Sequence, residues 1–314
     1  MVVDPSKLSP LQKYHYSYNL LSKGNYREGF KLFEYRWHPD VLASLPEPFE
    51  KLSPSPTWQG QSLLGKNIVV QMEMGYGDCI MWSRYLPLLK AYGAKTVTVV
   101  QTKSLHNLIA QFPCIDFITN NEKQQEVTTA DYWVGSMSLS YYALYGPRYI
   151  QAMFPTAGHS VVGREGYLDA PIRKLDGKIK IGINWKCSAG GHQEIRSLTQ
   201  ADLVYIKNEL PQVTFYSLCV NADSPLTPLP ISDWKEDWLI TASYMKDMDY
   251  VLSVDTGTVH LAGALGIPCL MFHPPDPYIC WRWSSNAWYS SVKTFRQPHV
   301  EKVVKYLQNK LHKK

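Results

Sequence analysis

Near the start of the chain, apolar positions recur at helical spacing. Leu11, Tyr14, Tyr18 and Leu21 make one stripe, Gly24-Asn25 interrupts it, and Tyr26, Phe30, Phe33 and Trp37 make a second. Residues 8–37 therefore read as a helical hairpin. A lone hairpin cannot bury both of its faces, so it should pack on the next domain. The Pro-rich stretch from Pro46 to Pro56 reads as an extended connector.

Downstream the period changes. Asn67–Glu73, Thr96–Gln101, Ile115–Thr119 and, as a further candidate, Asp131–Val134 are apolar runs of strand length, with helical patterns at Cys79–Ala91 and Leu105–Phe112 between them. Aromatic, irregular sequence follows to about Asp169, with Pro155 and Pro171 near an expected boundary. A second alternation predicts a strand over Ile179–Trp185, a polar loop to Ser197, and a helix over Leu203–Leu210. A strand over Val213–Val220, a helix over Trp238–Met245 and a strand over Tyr250–Val254 come next. The pattern closes with a turn at Asp255–Thr258, a helix over Val259–Leu265, a strand over Cys269–Phe272 and an amphipathic helix over Val300–Leu311. Strands alternating with helices predict parallel sheets covered on both faces, hence an α/β fold. Two such modules in series predict a ligand cleft between them.

Composition narrows this picture only a little. A chain of 314 residues with 45% apolar and 19% charged residues can bury a substantial core and is not of disordered type. No run approaches the ~20 apolar residues that cross a bilayer, and Met1-Val2-Val3-Asp4-Pro5 has no signal-peptide pattern. A cytoplasmic protein is expected, with peripheral contact to the inner membrane surface left open. The six cysteines form no C-x-x-C pair, so reduced thiols are expected rather than a zinc knuckle or disulfide framework. The net charge of +5 suits a phosphate-bearing ligand, an anionic surface or nucleic acid without choosing among them.

Three loops carry candidate chemistry. The first, Glu73-Met74-Gly75-Tyr76-Gly77-Asp78, lies between a strand and a helix. A dinucleotide fingerprint is excluded because Ile80 stands where the third glycine belongs, and Gln101 ends the second strand where an acid is usual. Gly75 and Gly77 still allow a tight turn. Asp78 opening a helix reads, on local context, as a cap before a catalytic group. The second loop, Asp255-Thr256-Gly257-Thr258-Val259-His260, opens a helix after a strand. Free amides, two hydroxyls and a histidine in the first turn could hold a pyrophosphate. A capped helix with a satisfied histidine explains the same residues equally well. The third loop carries Lys186, His192 and Arg196, either cations for phosphate oxygens or an exposed basic loop.

Taken together, these pieces resemble a known family. "SVDTGTVHLAGALGIP" followed by "WRW", "WY" and "FRQ" is similar to the C-terminal signature of tetratricopeptide-repeat proteins with a glycosyltransferase family 9 (ADP-heptose:lipopolysaccharide heptosyltransferase-like) domain. "EMGYGDCIMWSRYLPLLKAYGA" resembles the opening strand-loop-helix of that domain, and "INWKCSAGGHQEIRS" its central loop. "LLSKGNYREGFKLFEYRW" looks like one tetratricopeptide repeat. The likeness runs from about Tyr18 to Gln297. It implies a GT-B fold, with two Rossmann-like domains facing a cleft behind a short N-terminal TPR-like hairpin. The implied division is 1–62 for hairpin and connector, 63–172 for an acceptor domain, 173–298 for a nucleotide-sugar domain, and 299–314 for a helix packing back.

The resemblance further implies inverting, metal-independent transfer of a sugar from a nucleotide-activated donor to an acceptor hydroxyl, with no cofactor beyond that co-substrate. By motif, Asp78 matches the general base and Asp255 the acid on the donor-sugar hydroxyls. Thr256, Gly257, Thr258 and His260 match the phosphate turn, and Arg196 and Ser197 the R-S pair near the donor. The chain departs from the family at Cys187, usually glycine, at Glu194, usually aspartate, and at Ile240-Thr241, usually Asp-Thr. Asp233, Glu236 or Asp237 could substitute for that Asp-Thr pair toward the nucleotide. Asp247-Met248-Asp249 has the form of a D-x-D metal motif but reads as a helix end, so no metal site is expected. The acceptor stays open among glycan, lipid-linked and protein hydroxyls. One alternative is a non-catalytic sugar-nucleotide-binding or TPR-type interaction protein. The weaker one is a transferase acting on nucleic acid, which needs a basic track with exposed aromatics. Lys302, Lys305, Lys310, Lys313 and Lys314 crowd a helix end that is ordinarily solvated.

Overall fold

The computed structural model describes residues 4–45, 50–120, 130–147, 166–187, 193–219, 223–230, 237–275, 280–284, 288–296 and 300–312. His192, Asp233, Glu236, Lys313 and Lys314 lie outside the described residues. The hairpin forms as α1 (Pro10–Ser22) and α2 (Tyr26–Phe33), the latter tightening into a 3-10 turn over Glu34–Trp37. Ser9 caps α1 through a reciprocal box with Gln12. Gly24, at φ 75°, ends it. The Gly24 amide donates to the Leu21 carbonyl and the Asn25 amide to that of Leu20, which satisfies the last carbonyls of the helix. A one-turn α3 (Pro39–Leu42) comes next.

The first sheet contains β1 (Asn67–Gln71), β2 (Thr96–Gln101), β3 (Phe117–Asn120) and β4 (Tyr132–Gly135), all parallel, in the order β3-β2-β1-β4. Its helices are α4 (Tyr76–Ser83), α5 (Pro87–Ala91), α6 (His106–Ile109) and α7 (Leu139–Tyr145). The single helix expected over Cys79–Ala91 is two, because Pro87 cannot donate a backbone hydrogen bond to the preceding turn. The Tyr85 and Leu86 amides instead close tight turns onto Trp82 and Ser83. Helix α7 falls in the stretch expected to be irregular.

The second sheet holds β5 (Lys180–Asn184), β6 (Thr214–Ser217), β7 (Thr227–Pro228), β8 (Tyr250–Val254), β9 (Cys269–His273) and β10 (Val292–Arg296). They are parallel, in the order β10-β9-β8-β5-β6-β7. Its helices are α8 (Gln200–Glu209), α9 (Trp238–Met245), α10 (Gly257–Ala264) and α11 (Val300–Leu311). In both sheets the order reverses beside the first strand, between β1 and β4 and between β5 and β8, where open α/β sheets bind ligands. Helix α11 buries Val303, Val304 and Leu307 in a cluster with Leu203 and Ile206 of α8 and Ile181 and Ile183 of β5. Its packing is thus onto its own sheet, in place of the expected return across the molecule.

The hairpin does pack on the body, but no second repeat stands beside it among the described residues. Phe30 meets Trp82, Trp281 and Trp288 edge-on at ring separations of 6.0 to 6.5 Å. Arg36 is fully buried. Its Nε donates to Glu73 Oε1 at 2.9 Å and one terminal nitrogen to Oε2 at 3.1 Å. The same guanidinium reaches Glu34 at 2.7 Å and Ser138 Oγ at 2.7 Å. Glu73 Oε2 also accepts from the Met137 amide at 2.8 Å.

All six cysteines are free thiols, and Cys79, Cys114, Cys187 and Cys269 are buried. No helix among the described residues is long and apolar enough to cross a membrane. The D-x-D carboxylates are committed to structure: Asp247 accepts from Lys174, Lys180 and the Leu175 amide, and Asp249 from the Lys180 amide.

These buried charges have measurable consequences. Arg36→Met strands the Glu73 carboxylate, so unfolding free energy from urea titration should fall by about 3–5 kcal/mol. The Arg36→Met/Glu73→Leu double variant, which removes the fully buried carboxylate and leaves only the part-exposed Glu34 without its partner, should regain most of that loss. Burial opposes ionisation of Asp247, but hydrogen bonds from Lys180, Lys174 and the Leu175 amide outweigh it and hold its pKa at about 2. A carboxyl depressed on folding adds stability above its unfolded pKa, and this is lost as pH falls through the folded value. The melting-temperature gap between wild type and Asp247→Asn should therefore be full at pH 7 and close between about pH 4 and 2.

Candidate active site

The three candidate loops end β1, β5 and β8, so topology places all of them on the C-terminal edges of the two sheets. After β1 the chain turns sharply at Met74, a non-glycine residue at φ 67°. The expected tight turn is real, but its left-handed residue is Met74, not Gly75 or Gly77. Gly75 is the N-cap of α4, which puts Asp78 at its third position rather than at the cap. Gly77 has a different task. A side chain there would run into His260 and lie 3.2 Å from Gly257 Cα. The N-termini of α4 and α10, one from each sheet, therefore touch through two glycines. Tyr76 against Trp238 (5.3 Å) and Asn107 Nδ2 donating to Asp237 (2.8 Å) span the same junction.

Two positive helix ends meeting at one point form a natural anion site. The acids at this point are Asp78 and Asp255. Both are held by neighbouring residues of a single 3-10 turn, Trp281–Trp283. Arg282 donates to Asp78 Oδ1, and Trp283 Nε1 donates to Asp255 Oδ1 at 2.8 Å. Arg196 donates to the Asp255 carbonyl at 2.8 Å, with its guanidinium 3.7 Å from the Asp255 carboxylate. Burial pushes the Asp78 carboxyl above the ordinary range; Arg282 and the Gly75 amide pull it back, while Asp255 adds to the rise.

Several expected ligands point elsewhere. His260 is buried, its Nδ1 is 3.0 Å from the Tyr289 hydroxyl, and its ring lies 5.2 Å from that of Trp283. Burial, then Arg282 and Arg84, hold its pKa well below the usual value, so it is a neutral wall and not a cation for phosphate. The Thr258 hydroxyl is buried and accepts from Asn184 at 2.7 Å. The Ser197 hydroxyl braces its own loop, accepting from the Cys187 amide at 3.0 Å and donating to the Gln193 carbonyl at 2.7 Å. Thr256 is the N-cap of α10 but makes no side-chain cap, and Gly257 is the first helical residue. Lys186 is exposed, two residues past β5. Facing the junction, then, are Asp78, Asp255, Arg196 and the Thr256–Gly257 end of α10. Arg282 and Trp283 are the members that loop-by-loop reading misses. Their "WRW" signal marks a segment without saying that it meets a carboxylate 204 positions earlier.

No family model matches the chain. It is 24% identical over 304 residues to Protein FlbA of Caulobacter vibrioides, a match covering 88% of this chain and 50% of FlbA. The chain thus spans about half the length of the curated relative it matches. Among solved structures, the E. coli heptosyltransferase WaaC with ADP aligns at a TM-score of 0.50 and 9% identity, covering 77% of this chain and 99% of WaaC. E. coli ADP-heptose lipopolysaccharide heptosyltransferase II aligns at 0.50 and 11%, covering 77% and 98%. The iron-containing dodecameric glycosyltransferase TibC from enterotoxigenic E. coli H10407 aligns at 0.51 and 12%, covering 80% and 77%. Paired parallel sheets meeting at their C-terminal edges are the GT-B fold of these transferases, and in this chain a helical hairpin precedes them.

Proposed function

We propose that the chain is a glycosyltransferase that moves a sugar from a nucleotide-activated donor to an acceptor hydroxyl, with inversion and without a bound metal. The observation that carries this reading is the meeting of Asp78 and Asp255, from opposite sheets, where two helix N-termini touch. In the proposed reaction the acceptor oxygen attacks the anomeric carbon and its proton passes to Asp78. The bond to the nucleoside diphosphate breaks, and the diphosphate leaves with both electrons. The open N-terminus of α10 and Arg196 offset the charge it carries away. Asp255 orients donor-sugar hydroxyls. Lys174, Lys180 and backbone amides already occupy the Asp247 and Asp249 carboxylates, which supports metal independence. An all-thiol cysteine set suits a reducing, cytoplasmic compartment. The structural neighbour WaaC, solved with ADP, makes an ADP-activated sugar the first donor to try.

Calorimetric titration with ADP should show binding that survives EDTA. Arg196→Ala should weaken it by about 1.5–3 kcal/mol, roughly 10- to 150-fold in Kd. Unchanged affinity in a natively folded Arg196→Ala protein would remove that residue from the site, and loss of binding in EDTA would overturn metal independence.

Turnover tests Asp78. A donor that raises the melting temperature in a nucleotide-sugar screen is paired with acceptor alcohols. Asp78→Asn should then lower turnover by roughly 10²–10⁴-fold with little change in donor affinity. Near-normal turnover would remove the base assignment. Binding without turnover in the wild type would instead favour a sugar-nucleotide-binding protein.

A further inference from the structure

The 281–283 turn lies outside the three loops that supply the proposed chemistry, yet it reaches both carboxylates. Arg282 is held tightly. Its guanidinium lies 5.2 Å from the Trp82 ring centre and 5.1 Å from that of Trp281, and one terminal nitrogen sits 3.0 Å from Cys280 Sγ. Its side chain is 14% exposed, against 19% for Asp78. A guanidinium lying against two indoles that meet edge to face has little freedom to swing into solvent. Trp281 in turn packs on Trp82 at 6.2 Å and on Phe30 of the hairpin at 6.0 Å. The place of Arg282 is therefore fixed by both sheets and by the hairpin, not by a mobile loop.

We infer that Arg282 is a positioning residue whose guanidinium keeps Asp78 ionised and aimed at the junction of α4 and α10. This rests on the reading of Asp78 as the base. The charged surroundings of Asp78 make the need for such a residue plain. Asp255, at the start of α10, repels a second negative charge. His260, on the same helix, is held neutral. The Cys79 thiol on its own helix is pushed up to about 12, chiefly by burial, and the Cys280 thiol is also raised by burial, so neither helps or hinders as an ion near neutrality. Glu73 is neutralised by Arg36. Burial and Asp255 thus both favour a protonated Asp78, which could not accept a proton, and Arg282 supplies the opposing charge. The two hydrogen-bond partners fix the carboxylate's orientation, with Oδ1 toward Arg282 and Oδ2 toward Gly75.

The test needs no substrate. Protein labelled with carbon-13 at aspartate carboxyls is titrated by NMR, with the Asp78 resonance assigned by its disappearance in Asp78→Asn. In Arg282→Gln the Asp78 midpoint should rise by at least about one pH unit, roughly a tenfold tighter proton, while Arg282→Lys should stay nearer wild type. An unmoved or lowered midpoint in a folded Arg282→Gln protein would overturn the inference and leave Arg282 as a structural tie. Should that variant not fold, the wild type still decides. The Arg282 Nε resonance should titrate with the same midpoint as Asp78, and independent behaviour would overturn the coupling. Failure of the base reading looks different: Asp78→Asn would keep its turnover whatever the midpoints show.

Discussion

The buried ion pair between Arg36 and Glu73 is the constraint on which the rest of the molecule depends. Glu73 stands just beyond the end of β1 and one residue before the left-handed turn at Met74. Tying its carboxylate to a fully buried arginine of the hairpin fixes the start of the loop that leads to Asp78. Removing two charges from water is costly, and such a pair adds less to stability than its short distances imply. What it supplies is definition, since a two-pronged guanidinium–carboxylate contact tolerates one orientation where apolar packing would accept several. Ser138, Glu34 and the Met137 amide complete the network, so the polar atoms of the pair are answered inside the protein.

A second set of contacts carries that definition across to the other sheet. Phe30, Trp82, Trp281 and Trp288 form one aromatic cluster drawn from the hairpin, from α4 and from the segment after β9. Arg84, also buried, extends it by donating to the Trp288 carbonyl at 3.0 Å while facing the rings of Tyr167 and Tyr289. Tyr289 is the partner of His260. The acidic residues of the junction are thus held by a continuous chain of aromatic and guanidinium contacts running through the core. This is the preorganisation expected of a site that must keep charges in place without help from water.

Much of the fold was legible in the sequence because parallel strands buried on both faces are nearly continuous apolar runs. Thr96–Gln101, Trp238–Met245, Tyr250–Val254 and Val300–Leu311 have the limits that their patterns predict. Helix α7 was hidden because its aromatic residues, Tyr141, Tyr142 and Tyr145, give no clean helical stripe, and β10 because Val292–Arg296 is an edge strand of mixed polarity. At the site, local reading places Asp78 and Asp255 at helix starts. The polar atoms of His260, Thr258 and Ser197, which the family resemblance assigns to the donor, meet Tyr289, Asn184, Cys187 and Gln193. Each of those partners is set by tertiary packing, which a motif does not encode. Arg282 and Arg36 were out of reach for the same reason, since their partners lie far along the chain and only the fold brings them together.

The hairpin looks like a detachable module, and its packing says otherwise. Its one apolar side is spent on the body, its arginine completes the core beneath the first sheet, and its Phe30 props the turn that faces both acids. In engineering terms the segment is a buttress of the core behind the two acids and not an accessory. Exchanging it for the corresponding hairpin of another protein, or grafting this one elsewhere, would transplant half of a contact and leave behind an unbraced site.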